Sequence, residues 1–130
     1  MITRVGTVSL FVNDQEKAKD FYVNVLGFEV RMDGPLNQDG SGSWLSVAPK
    51  GAETEVVLYK PDSNWEHYRQ VIGKSQALTF EVDDLAATYA DLKSKGVVFI
   101  IEPTEESWGK HAFFADPEGN QFLIVESPKF

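Results

Sequence analysis

The sequence predicts an α+β fold of two βαβββ modules that form a curved mixed sheet around a cleft. Three observations predict it: short apolar runs alternating with period two, two capped amphipathic helices, and recurrence of the whole pattern at an offset of 70 residues, which pairs Val12 with Val82 and Asp14 with Asp84. A chain of 130 residues can bury a real core as one domain, and 42% hydrophobic with 25% charged residues is ordinary for globular proteins.

Val8, Leu10 and Val12 alternate with Thr7, Ser9 and Phe11, as in a half-buried strand. Asn13 followed three residues later by Glu16 resembles a capping box and predicts a helix start. Ala18, Phe21, Tyr22, Val25 and Leu26 then form an apolar stripe at helical spacing, and Gly27 is placed to cap its C-terminus. Phe28 to Met32 reads as a second strand, Asp33 to Gly42 as a turn rich in Gly, Asn and Asp, and Ser43 to Ala48 as a third strand. In the fourth strand, Thr54 to Lys60, Val56 and Leu58 share one face and Glu55, Val57 and Tyr59 the other. These elements make an N-terminal module over residues 1–60.

Residues 61–75 break the strand rhythm and read as a linker in which Trp65, Tyr68, Val71 and Ile72 suit a short helix or a packed segment. Residues 76–130 repeat the module. Leu78, Phe80 and Val82 alternate with Ala77, Thr79 and Glu81, and Asp83 or Asp84 caps a helix carrying Leu85, Tyr89 and Leu92 that ends at Gly96. Val97 to Ile101, Lys110 to Ala115 and Gln121 to Glu126 supply three strands, with a turn over Asp116 to Gly119 and a solvated loop carrying Glu102, Glu105 and Glu106.

A formal net charge of -8 opposes the clustered basic surface that nucleic acids and anionic membranes require. The absence of cysteine removes disulfides, thiolate nucleophiles, iron–sulfur clusters and thiolate zinc sites, and fits a reducing compartment. Thr3, Arg4 and Thr7 interrupt any apolar run of signal-peptide type, and no segment has the length of a membrane span. The expectation is a soluble, cytoplasmic protein without nucleic-acid or membrane partners. Phosphate-binding glycine loops, nucleophile elbows and H-E-x-x-H helices do not occur.

Each helix must cover one sheet face, and the continuous apolar sets around Leu10 and Phe80 are the natural ones. The opposite faces then line the cleft with a ligand-binding set: Thr7, Ser9, Phe11, Trp44, Val57, Tyr59, Thr79, Glu81, His111, Phe113 and Leu123. Ala77 and Val125 fall on the same faces. His111 alternates in phase with Phe113 and is a candidate to orient a ligand or act as a general base; the competing reading is a histidine bonded to a neighbouring strand. Glu81 is the inward carboxylate, a candidate partner for a cationic ligand or a base, against the reading of a strand-end Glu in solvent or paired with Arg31. Trp44, Trp65 and Trp108 offer flat apolar walls that ordinary packing also explains, and His67 reads as a solvated or packing residue.

The stretches VSLFVNDQEKAKDFYVNVLGF, Val8 to Phe28, and FFADPEGNQFLIVE, Phe113 to Glu126, resemble the vicinal oxygen chelate superfamily, which includes glyoxalase I, extradiol dioxygenases and the bleomycin and fosfomycin resistance proteins. The resemblance covers nearly the whole chain and implies the two-module fold. Metal-dependent members place His near the start of the first strand and Glu on the last strand of each module. Carried over, those positions fall at Thr7, Val57, Ala77 and Leu123, where a Thr hydroxyl is the one weak donor; shifting Val57 to Glu55 supplies a carboxylate without partners. The resemblance therefore implies no metal and no cofactor, and a bleomycin-resistance-like protein that binds or sequesters a small, mainly apolar or aromatic molecule. The alternatives are a glyoxalase- or dioxygenase-like lyase, isomerase or oxygenase using His111 and Glu81, and an interaction module. Related two-module chains and open sheet edges imply a homodimer.

Overall fold

The computed structural model describes residues 1–35, 37–40, 42–61, 66–74 and 78–126, and divides the chain into two compact units, Met1–Ile72 and Gly73–Phe130. Trp65 and Ala77 lie outside the described residues. Among the described residues no helix is long and apolar enough to cross a membrane.

In the first unit the period-two run becomes β1 (Thr7–Phe11). The backbone of Val12 still donates to the Tyr59 carbonyl, so the chain leaves the sheet one residue later than the capping-box reading requires. Asp14 rather than Asn13 is therefore the N-cap of α1 (Gln15–Asp20), its carboxylate accepting from the Lys17 amide at 3.0 Å. The helix continues as one π-helical turn, Phe21–Val25, in which the Leu26 amide reaches the Phe21 carbonyl five residues back. Phe21 and Tyr22 are both buried there, with their rings edge to face at 5.3 Å.

Three further strands follow, β2 (Glu29–Pro35), β3 (Ser43–Ala48) and β4 (Glu55–Tyr59), and then the four-residue α2 (Glu66–Arg69). The sheet order is β1-β4-β3-β2, with β1 parallel to β4 and the other pairs antiparallel. β2 runs to Pro35, through residues expected in a turn, because a register shift between Val30 and Met32 resets its pairing with β3. Leu10, Val12, Leu45, Val47, Val56 and Leu58 are buried, as are Ala18, Phe21 and Tyr22 of the helical segment. Burying each such Leu or Phe contributes about 1.5–3 kcal/mol.

Gly27 ends the helical segment with φ of 81°, and the Phe28 amide closes the cap on the Tyr22 carbonyl. A Cβ built on Gly27 meets nothing within 4 Å, so substitution there costs backbone strain alone. Gly27→Val is expected to destabilise by about 1–2 kcal/mol, read as a melting temperature lower by several degrees, with Gly27→Asn milder. An unchanged midpoint for the valine variant would contradict the left-handed cap.

The second unit repeats the scheme with β5 (Leu78–Glu81), α3 (Leu85–Ser94), β6 (Val98–Glu106), β7 (Gly109–Ala115) and β8 (Gln121–Glu126), in sheet order β5-β8-β7-β6. Asp84 caps α3 by accepting from the Ala87 amide, and Glu126 adds a second cap from β8 by accepting from the Leu85 amide at 2.8 Å. Leu85, Leu92, Ala112, Phe114, Phe122 and Ile124 are buried. The turn after β7 is built around the buried Asp116 carboxylate, which accepts from the amides of Glu118 and Asn120 and from the Asn120 side chain.

β6 corrects the sequence reading most. Glu102, Glu105 and Glu106 belong to this strand and not to a loop, with Glu105 opposite Lys110 and Glu106 opposite Gly109. Register shifts between Phe99 and Ile101, and between Ile101 and Thr104, let the strand continue across a stretch whose alternation is broken. β2 and β6 are both edge strands, and both combine irregular register with charged residues, a combination that discourages uncontrolled pairing.

Candidate functional site

The cross-strand register decides which side chains share a face. In the first unit Thr7, Ser9 and Phe11 stand opposite Glu55, Val57 and Tyr59, and Ser46 stands opposite Val57. Alternation along β3 adds Trp44 to this face, while the odd-phase set, Leu45 and Val47 with Val56 and Leu58, belongs to the other. Gln15 at the start of α1 ties two strands together, donating to the carbonyls of Leu58 at 2.9 Å and Ser43 at 3.2 Å.

This face is partly filled by its own chain. Val57 is 1% exposed, so it offers a ligand almost no surface, whereas Ser9, Phe11, Trp44 and Tyr59 are half-buried and Thr7 is exposed. Tyr68 of α2 stacks on Phe11 with ring centroids 4.7 Å apart and planes 18° from parallel, and Tyr59 meets Phe11 edge-on at 6.2 Å. Phe11 thus has one flank occupied. His67 is exposed and lies edge-on to Tyr68 at 5.2 Å, in keeping with a packing role. Sequence reasoning missed a polar pair: the fully buried Ser46 donates to the half-buried Glu55 at 2.8 Å. Arg31 is engaged by Glu29 and by the carbonyls of Pro49 and Ala52, holding the turn between β3 and β4.

In the second unit two rows cross the sheet. Thr79, Leu123, Phe113 and Ile101 form one; Glu81, Val125, His111 and Thr104 form the next. Glu81 and His111 are two strands apart in one row, about 10 Å at ordinary strand spacing, too far to bond each other but suited to flank a ligand. Glu81 is exposed, and His111, Phe113 and Leu123 are half-buried. Trp108 stacks on His111 at 5.1 Å and 28°, and Phe113 meets the imidazole edge-on at 6.4 Å. Nδ1 of His111 is, among the described residues, the one buried side-chain nitrogen or oxygen without a hydrogen-bond partner.

An open depression of about 680 Å³ lies at the Glu81 end of this unit, lined by Glu81, Val82, Asp83, Asp84, Ala87, Thr88 and Glu126. Four of its seven lining residues are acidic, and two of these, Asp84 and Glu126, spend a carboxylate oxygen on capping α3. Two lysines outside the aromatic faces are raised above the ordinary lysine pKa, Lys19 through its hydrogen bond to Asp33 and Lys93 through its hydrogen bond to Tyr89.

Residues 4–124 match the family model described as the glyoxalase/bleomycin resistance protein/dioxygenase superfamily. The chain belongs to this superfamily. TnmS3, described as an antibiotic binding protein from Streptomyces sp. CB03234, is 38% identical in sequence, with a TM-score of 0.83 over 98% of both chains. The uncharacterized Bacillus subtilis protein YetH is 40% identical over 97% of this chain and 100% of its own length. A lactoylglutathione lyase of Neisseria meningitidis is 30% identical over 90% of this chain and 86% of its own.

Some members of the superfamily use a divalent ion, and the residues present here do not fit one. Thr7, Val57 and Leu123 occupy the carried-over ligand positions, and two of the three are hydrocarbons. Among the described residues no three His, Cys, Asp or Glu side chains group closely enough to hold a metal.

Proposed function

We propose that the chain binds a small, mainly apolar or aromatic organic molecule on the sheet faces turned away from α1 and α3, without a metal ion. The observation that carries this reading is the aromatic series beside Leu123, in which Trp108 stacks on His111 and Phe113 meets the imidazole edge-on. The likeness to TnmS3, whose description is that of an antibiotic binding protein, supports it. The charge of -8 supports a protein without nucleic-acid partners, the absence of cysteine supports a reducing, cytoplasmic location, and the edge strands support a homodimer.

Native mass spectrometry of freshly purified protein, with metal analysis, tests the whole reading. The expected result is a homodimer carrying organic adducts and no stoichiometric Zn, Ni, Mn or Fe. One metal per chain, together with an activity that chelator abolishes, would replace it with a second reading, a lyase or isomerase. That second reading draws on the lactoylglutathione lyase relative and on Glu81 and His111 sharing one row.

A further inference from the structure

Burying a polar atom without a partner costs about 1–3 kcal/mol, so the orphaned Nδ1 of His111 calls for a use. Its surroundings narrow that use. Along β7 the imidazole has an aromatic face from Trp108 and an aromatic edge from Phe113; across the sheet it stands opposite Val125 and Thr104. Thr104 directs its hydroxyl to the Glu102 carbonyl and so supplies its proton elsewhere. The contacts of the ring itself are aromatic, and the nearest other polar side chains of its row are Thr104, already bonded, and Glu81, two strands away.

A neutral imidazole carries one N–H and one lone pair. With the N–H on Nε2, the lone pair of Nδ1 accepts a hydrogen bond in the plane of the ring. We propose that Nδ1 of His111 is the acceptor that selects planar aromatic ligands bearing a phenolic or enolic hydroxyl. This rests on the ligand-binding reading above and adds to it the chemical class of the ligand. Trp108, 50% exposed, covers one face of the imidazole and offers a flat neighbour to a planar ligand. An O–H donor regains the bond that the free protein lacks; a methyl ether of the same ring does not.

The test is a titration at pH 7 with 2-naphthol and 2-methoxynaphthalene, followed by calorimetry. Wild type is expected to prefer the naphthol by about tenfold, the worth of one hydrogen bond. His111→Phe is expected to bring the naphthol-to-ether affinity ratio down to about one, a ratio that does not depend on how far the substitution changes binding of the ring itself. Equal affinities in wild type would overturn the role of His111 and leave the ligand-binding reading standing. Failure of wild type to bind either compound would overturn both. Should His111→Phe fail to fold, the ¹⁵N resonance of Nδ1 in wild type decides: a shift produced by the naphthol and not by the ether supports the proposal, and no shift overturns it.

Discussion

Phe114→Ala is expected to destabilise the protein by about 3–5 kcal/mol, the range for deleting a buried phenyl ring and leaving a cavity. Phe114 is 1% exposed and is surrounded by Phe122 at 5.6 Å, Phe99 at 6.0 Å and Phe80 at 6.2 Å, rings held on three different strands. Those strands cannot close over the gap without moving their backbones. For a domain of this size the loss corresponds to a melting temperature lower by roughly 10–20 °C, a large part of the usual folding margin. Phe113→Ala is the control. The adjacent residue points to the helix-free face and is half-buried, so its removal leaves no closed cavity and costs much less. A Phe113 variant less stable than the Phe114 variant, by thermal melting, would mean that the two faces of β7 have been exchanged.

That face assignment was legible in the sequence because strand side chains alternate with period two, and no distant residue has to be known to read it. The helix starts were legible only to within one residue. Asn13 and Asp14 have equal capping chemistry, and the choice falls to Asp14 because the Val12 amide is held in the sheet by Tyr59, just as the Val82 amide is held by Val125 ahead of Asp84. The length of β6 was not legible, since its register shifts destroy the alternation by which a strand is recognised. Nor was the condition of the candidate surface. Tyr68 lies 57 positions after Phe11 in a segment too short to show helical periodicity, yet it stacks on that ring. Ser46 and Glu55 find each other across a turn, and Val57 proves buried although it faces the same way as Ser9. The missing partner of His111 is likewise a property of the packed chain; alternation could say which way the ring points and nothing about what meets it.

Leu123→Glu is expected to lower the affinity for 2-methoxynaphthalene at pH 7.5 by at least about 100-fold, equivalent to roughly 2.7 kcal/mol. Leu123 stands between Thr79 and Phe113 in its row and two residues along β8 from Val125 in the row of His111, at the middle of the surface proposed to hold the ligand. In the free variant a carboxylate there can reach water from a half-buried position. An apolar ligand laid over it would strip that water and supply no hydrogen bond, and an unpaired charge is far more expensive to desolvate than a hydrocarbon contact is worth. The same physics sets the pH dependence. Ligand binding disfavours the charged form and raises the pKa of the new carboxyl in the complex above its value in the free protein. Protonated variant therefore binds better, and affinity should rise as pH falls through the complex's pKa, levelling off below the free-state value, near 4.3 for an ordinary Glu. Leu123→Gln keeps the shape and polarity without the charge, so it should show a smaller loss and none of this added pH dependence. Undiminished binding by a folded Leu123→Glu variant at pH 7.5 would place the ligand away from Leu123 and remove the second unit's aromatic face from the proposed site.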